Sequence, residues 1–236
     1  MIIREFKSVE EMNGQAATLL ARQIQIESAI PRAIMLSGGR TPVPAYRQLT
    51  AHPVRAPEST WFLFSDERMV PLESSENNYG LTKAMIAAAG VPEERVVRVH
   101  TEIPLFDAAA RYERDLGLFF AKGGQIALGL LGLGADGHTA SLFSTEDAFR
   151  GRGHLAIAVP RPTEMDRVSA TPELFGRAQR ILVLVAGESK SEVFDKFSKA
   201  PLTTAAGHAL ARCGNVEVWV AGIRAKPAEG PKVSNQ

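Results

Sequence analysis

The sequence is poor in three things, and each absence excludes a class of protein. It has one cysteine, Cys213, in 236 residues, which excludes an internal disulfide framework and a zinc site built on cysteines. It has no apolar run near the roughly 20 residues needed to cross a bilayer. The opening Met1-Ile-Ile-Arg-Glu-Phe-Lys7 breaks its apolar residues with charge, unlike a signal peptide. It also has no excess of charge: 27 Lys and Arg against 26 Asp and Glu leave +1. Proteins that coat nucleic acid or lie on anionic membranes need a clustered cationic surplus. These absences predict a cytoplasmic protein that binds neither nucleic acid nor membrane. A hydrophobic fraction of 45% is enough for a buried core, 20 Gly and 14 Pro supply many turns, and the length suits one α/β domain.

The apolar residues follow two periods in turn. From about Val9 to Ala29, Met12, Ala16, Leu19, Leu20 and Ile24 recur at helical spacing behind Ser8 and Glu11, a capping pair. Ala33-Ile-Met-Leu36 then reads as a strand running into Ser37-Gly-Gly39, with a new helix from Pro42. Trp61 to Phe64 repeats the strand, Leu81 to Ala89 the helix, Val96 to Val99 a short strand and Asp107 to Ala121 a helix. The run from Ile126 to Gly134 is the longest apolar stretch. Its lack of polar alternation predicts a central parallel strand covered on both faces. Leu155 to Val159, Ile181 to Val185 and Val216 to Val220 are later strands, with a helix from Ser189 to Phe197. The predicted fold is α/β, a single-domain three-layer sandwich. It has a mainly parallel, Rossmann-like central sheet, helices on both faces and a flexible tail over about 225–236.

Ligands of such sheets gather beyond the carboxyl ends of the strands, where three polar clusters fall. In Ser37-Gly-Gly-Arg-Thr-Pro42, Gly38 and Gly39 let a ligand approach the backbone, and the following helix start favours an anion. Ser37, Arg40 and Thr41 add donors for a phosphate; a plain strand-to-helix turn is the other reading of the hexapeptide. In Ser65-Asp-Glu-Arg68 three successive charges must pair with one another or meet a polar ligand. The third cluster, Gly132-Leu-Gly-Ala-Asp-Gly-His138, matches G-x-G-x-x-G, but a dinucleotide reading fails. Asp136 would face a pyrophosphate, and Arg152 or His154 stands where an acid should hold the ribose. Three glycines that fold a tight loop around Asp136 and His138 explain it better, with His138 a general base and Asp136 its orienter.

The other histidines, 52, 100, 154 and 208, have no such setting. Ser141 lacks the strained elbow of a serine nucleophile, and no motif suggests a metal site. Arg161, Arg167 and Lys190 fall after strands or in loops, where they can neutralise a phosphate.

Taken together, Leu36 to Pro42, Asp66-Glu-Arg-Met-Val-Pro71 with Asn77-Asn-Tyr79, Gly132 to Phe143, and Gly187-Glu-Ser-Lys190 resemble the 6-phosphogluconolactonases. That family belongs to a larger group that includes glucosamine-6-phosphate deaminases. The resemblance implies hydrolysis of 6-phosphoglucono-1,5-lactone, with His138 as base, Asp136 and Arg68 beside it, and Asp66 in the site. It places the sugar phosphate on Ser37, Gly38, Gly39, Arg40, Thr41, Gly134, Arg167 and Lys190. It implies no metal, no organic cofactor, one small phosphorylated sugar lactone as partner, and a monomer or weak homo-oligomer. The chain departs from the family pattern at Ser144, which stands for a common proline, and in the loose match of Pro160 to Ser169. The rival readings are a deaminase, whose acid five residues after the histidine is replaced here by Phe143, and a non-catalytic phosphosugar sensor.

Overall fold

A computed structural model describes residues 1–223; the predicted tail at about 225–236 lies outside the described residues. In chain order the elements are β1 (Ile2–Phe6), α1 (Val9–Ile24), β2 (Arg32–Leu36), α2 (Val43–Ala51), β3 (Thr60–Phe64) and β4 (Asp66–Arg68). Then come α3 (Asn78–Ala88), β5 (Val96–Val97), α4 (Leu105–Ala121), β6 (Gln125–Gly132), α5 (Thr145–Arg150) and β7 (Ala156–Val159). The last are β8 (Arg167–Ala170), α6 (Pro172–Gly176), β9 (Ile181–Ala186), α7 (Ser191–Lys199), α8 (Ala205–Leu210) and β10 (Val216–Ala221).

Seven strands pair in parallel in the order β1-β10-β9-β6-β2-β3-β5, so β6, the longest apolar run, is the middle strand. Alternate residues of each strand feed two separate cores. Ile34 and Leu36 of β2 and Leu182 and Leu184 of β9 pack under α1, α2 and α3. Met35, Ile181, Val183 and Val185 pack on the other face with α4, α6, α7 and α8. β6 changes phase on the way: Ala33 pairs with Ile126 but Ile34 with Leu128, a bulge that turns Ile126 and Leu128 to opposite cores. Two covered faces make the three layers that the sequence predicts.

The strands β1, β4 and β8 are absent from the sequence reading, and two of the elements it does predict differ. The first helix ends at Ile24 rather than near Ala29, because its final carbonyls are taken by side chains of the sheet. The Arg32 guanidinium bonds the Gln23 carbonyl (2.5 Å) and the Thr60 hydroxyl bonds that of Ile24 (2.9 Å). The strand at Ala156 to Val159 does not join the main sheet. It forms a small antiparallel sheet, β4-β8-β7, packed with α4 in the second core.

Ser65 is the junction of the two sheets. Its N–H bonds the Leu36 carbonyl (2.8 Å), and its own carbonyl accepts from Ala170 (2.7 Å), so the chain leaves β3 and enters β4 within one residue. That step delivers Asp66, Glu67 and Arg68 to the carboxyl end of the main sheet. Ser144, where the family pattern has proline, starts α5 with a capping box in which Ser144 and Asp147 bond each other's backbone N–H.

Candidate active site

The ends of β2, β3, β6 and β9 surround a cleft of about 290 Å³, where the order of adjacent strands reverses between β6 and β2. Ser37, Gly38, Gly39, Arg40, Thr41, Asp66, Arg68, Gly134, His138 and Lys190 all line it. A larger cleft of about 450 Å³, beside Phe6, Phe194 and Ile223, contains none of these residues.

The glycine loop after β6 brings Asp136 and His138 together. Asp136 Oδ1 lies 2.5 Å from His138 Nδ1, and Gly134 donates its N–H to the His138 carbonyl (2.8 Å). A Cβ on Gly134 would stand 2.2 Å from His138 Nδ1 and 2.5 Å from Asp136 Oδ1, so only glycine lets the pair close over the loop. Gly132 is not part of this requirement: it is the last residue of β6, and a Cβ there would meet nothing within 4 Å. The hydrogen bond to His138 is the largest influence holding the Asp136 carboxyl down at about 2. Near neutral pH Asp136 is therefore an anion that can only accept. The Nδ1 proton must point at it, so in the neutral imidazole the lone pair available to a substrate sits on Nε2. The Phe143 ring packs against the imidazole at a tilt (4.7 Å between centroids), and the Arg161 guanidinium lies over the Phe143 ring, 4.0 Å from its centroid.

The Asp66-Glu-Arg68 run is settled in a way the sequence does not suggest, since the three charges do not pair with one another. Asp66 accepts the hydroxyls of Ser65 (2.8 Å) and Ser141 (2.7 Å), which gives Ser141 a holding role rather than a nucleophilic one. Glu67 points away from its neighbours, as alternation along a strand requires, and accepts three backbone N–H groups: Arg68 (2.8 Å), Asn78 (2.7 Å) and Tyr79 (2.8 Å). Burial pushes its carboxyl up to about 7 against the opposing pull of those bonds. Arg68 bonds the backbone carbonyl and carboxylate of Glu76 (2.8 and 3.1 Å).

Three cations line the cleft: Arg40, Arg68 and Lys190. The Lys190 ammonium bonds the Leu133 carbonyl, and burial lowers its pKa, helped by the charge of Arg40 and opposed by Asp136. Arg167 is not in a loop, as the sequence suggests, but opens β8 directly opposite Arg68. It is 8% exposed and stands behind the cleft wall; burial lowers its pKa, and the neighbouring Arg68 charge acts the same way. Arg161 is engaged in its own loop with Glu164 and Asp166. Five buried side-chain atoms among the described residues have no hydrogen-bond partner, and four of them crowd this region. They are Ser37 Oγ, Arg68 Nε, Arg167 Nη1 and Asn78 Oδ1, the last pressed against Gly38. Three of the four, Ser37 Oγ, Arg68 Nε and Arg167 Nη1, are donors, and buried donors left unpaired around one cleft suit a ligand rich in acceptors. Among the described residues no group of three or more His, Cys, Asp or Glu could hold a metal ion, and no helix is long and apolar enough to cross a membrane.

Sequence reasoning missed Glu67 as a helix anchor, Asn78 beneath the turn, and Phe143 on the histidine. Only Phe143 left a usable sign, an aromatic residue five positions after His138.

A parallel sheet with a glycine turn, clustered cations and an acid–histidine pair at its carboxyl edge defines an α/β protein with a cationic cleft at the switch point of its strand order. The family model for glucosamine-6-phosphate isomerases/6-phosphogluconolactonase matches residues 7–219. The chain belongs to that family. The 6-phosphogluconolactonase of Haemophilus influenzae is 33% identical over 193 residues, 79% of this chain and 82% of that protein. The Chlamydia pneumoniae 6-phosphogluconolactonase is 32% identical over 68% of this chain, and the match spans 62% of that protein's length. The crystal structure of the Thermotoga maritima 6-phosphogluconolactonase superposes with a TM-score of 0.73 at 27% identity, covering 94% of this chain and 99% of the other.

Proposed function

We propose that the protein hydrolyses 6-phosphoglucono-1,5-lactone to 6-phosphogluconate, with His138 as general base. The observation that carries this reading is the Asp136–His138 pair, 2.5 Å apart, set on the wall of a cleft lined by Arg40, Arg68 and Lys190. His138 Nε2 takes a proton from water as its oxygen attacks C1, and the carbonyl electrons move onto the carbonyl oxygen. Arg68 or a loop N–H stabilises that oxyanion. When the intermediate collapses, the C1–O5 bond breaks and the ring oxygen takes the proton back from Nε2, leaving the carboxylic acid, which ionises. Asp136 keeps its negative charge throughout and supports the transient imidazolium. The phosphate lies on the Ser37-Gly38-Gly39-Arg40-Thr41 turn with Lys190, where backbone N–H groups and two cations converge.

A deaminase reading needs an acid five residues after the histidine. Phe143 occupies that place and packs its ring on His138, which offers no proton relay. The test is acid release from the lactone by the purified chain, with spontaneous hydrolysis subtracted and ammonia release from glucosamine 6-phosphate measured in parallel. His138→Ala should lose about 10²- to 10⁴-fold in kcat, the usual worth of a general base. Ammonia release, or His138→Ala at the wild-type rate, would overturn the reading.

A further inference from the structure

Glu67 is the one member of the Asp66-Glu-Arg68 run that faces away from the cleft, and it is 1% exposed. A carboxyl group is costly to place there, yet all its bonds go to main-chain N–H groups: its neighbour Arg68 and the first two residues of α3. Asn78, the first of those two, is itself fully buried. Its Nδ2 donates to the Asp66 carbonyl (2.9 Å), and its Oδ1 abuts Gly38 of the anion turn so closely that a Cβ on Gly38 would lie 1.7 Å away. Glu67 thus ties together β4, the start of α3 and, through Asn78, the turn after β2. None of these contacts reaches the loop that carries Asp136 and His138.

We propose that Glu67 is a positioning residue: by gathering the first N–H groups of α3 it seats Asn78 under the Ser37–Gly39 turn and keeps that turn at a fixed distance from Arg68. The role rests on the lactone hydrolysis proposed above. Because the link holds the anion turn and not the base, it acts on substrate binding more than on the chemical step.

Glu67→Gln turns one accepting oxygen into an amide that faces the Tyr79 N–H. It should raise the KM for the lactone about tenfold or more, the scale of one lost hydrogen bond to a charged group, while kcat changes far less. Asn77→Ala is the control. Asn77 caps the same helix through Gly80 (2.8 Å) but touches neither Asp66 nor Gly38, so its loss should lower stability and leave KM within about twofold, as for an independent site. Equal shifts of KM in the two variants, or an unchanged KM in Glu67→Gln, would overturn the proposal. Should Glu67→Gln fail to fold, Asn78→Ser removes the bridge and leaves the Glu67 bonds to the helix in place; it should raise KM likewise, and a wild-type KM there would equally overturn the role. Titration with inorganic phosphate, followed by NMR, reads the turn independently of hydrolysis and should weaken in both Glu67→Gln and Asn78→Ser. A wild-type chain that does not open the lactone refutes the functional reading, and unchanged phosphate binding in those variants refutes the positioning role.

Discussion

Gly38→Ala introduces one methyl group, and the structure sets where it must go. The new carbon would lie 1.7 Å from Asn78 Oδ1 and 2.4 Å from Asn78 Cγ, whereas real contacts of this kind stay above 3.0 Å. About 1.3 Å must therefore be opened between the anion turn and the start of α3. Asn78 cannot simply rotate aside, because it is fully buried and its Nδ2 holds the Asp66 carbonyl. Overpacking of this size costs about 1–3 kcal/mol of stability, several degrees in Tm for a chain of this length. A displacement near 1 Å in a substrate-positioning element costs on the order of 10² in rate. Gly39→Ala is the informative contrast: its φ of +95° disfavours alanine, but nothing lies within 4 Å of the added carbon. It should lose about 1–2 kcal/mol through backbone strain without moving Asn78 or Asp66. Proton release from the lactone in a pH-stat, with a thermal melt of each variant, measures both effects. A Gly38→Ala enzyme within twofold of wild type in kcat/KM would refute the packing argument.

Asp136→Asn keeps the shape of the pair but allows the amide to donate to Nδ1, which moves the imidazole proton to Nε2; kcat should fall about 10²- to 10⁴-fold with KM little changed, and steady-state kinetics decide it. Arg167→Met removes a buried cation beside Arg68 that has an unpaired Nη1; Tm should hold or rise while KM increases about tenfold, and a lower Tm with unchanged KM would contradict this. The Glu67 carboxyl, raised from 4.5 to about 7 by burial, binds its proton more tightly in the folded chain than in the unfolded one. Its contribution to stability is complete below about pH 4.5 and is withdrawn as pH rises through about 7. Urea titrations should therefore show the advantage of wild type over Glu67→Gln narrowing by on the order of 2–3 kcal/mol between pH 5 and 8; a widening gap reverses the sign and refutes the cause.

The inner strands of the main sheet are legible because they are apolar on both faces, so Ala33 to Leu36, Ile126 to Gly132 and Ile181 to Val185 stand out as continuous runs. The edge strand β1, Ile2-Ile-Arg-Glu-Phe6, carries two charges and is mostly exposed, and the sequence reading does not mark it. The cleft is legible too, since the glycine pairs at 38–39 and 134–137 mark sharp turns at strand ends and the second of them encloses the Asp136–His138 pair. The small sheet is not. Asp66 to Arg68 and Arg167 to Ala170 are too short and too polar to show a period, and they pair across about 100 positions of sequence. The sequence therefore places Arg167 after a strand or in a loop, whereas it opens β8. The roles of Glu67, Asn78 and Ser141 were hidden for the same reason: their partners are main-chain groups or residues far along the chain, such as Asp66 for Ser141, 75 positions away.

Among the described residues the outermost strand, β1, has a single neighbour, β10, with Ile2 set opposite Glu217 and Phe6 opposite Ala221. The two halves of this ladder are about 215 positions apart, among the longest loops the chain closes, and such contacts form late because the entropy of closure comes before any gain. During synthesis on the ribosome the segment Ile2–Phe6 must wait for nearly all of the described chain before it can dock, with Ile2 and Ile3 exposed to whatever else can pair with them. Chaperone demand and aggregation in this protein should concentrate on that first segment, and substitutions there should slow maturation more than they disturb the finished cleft.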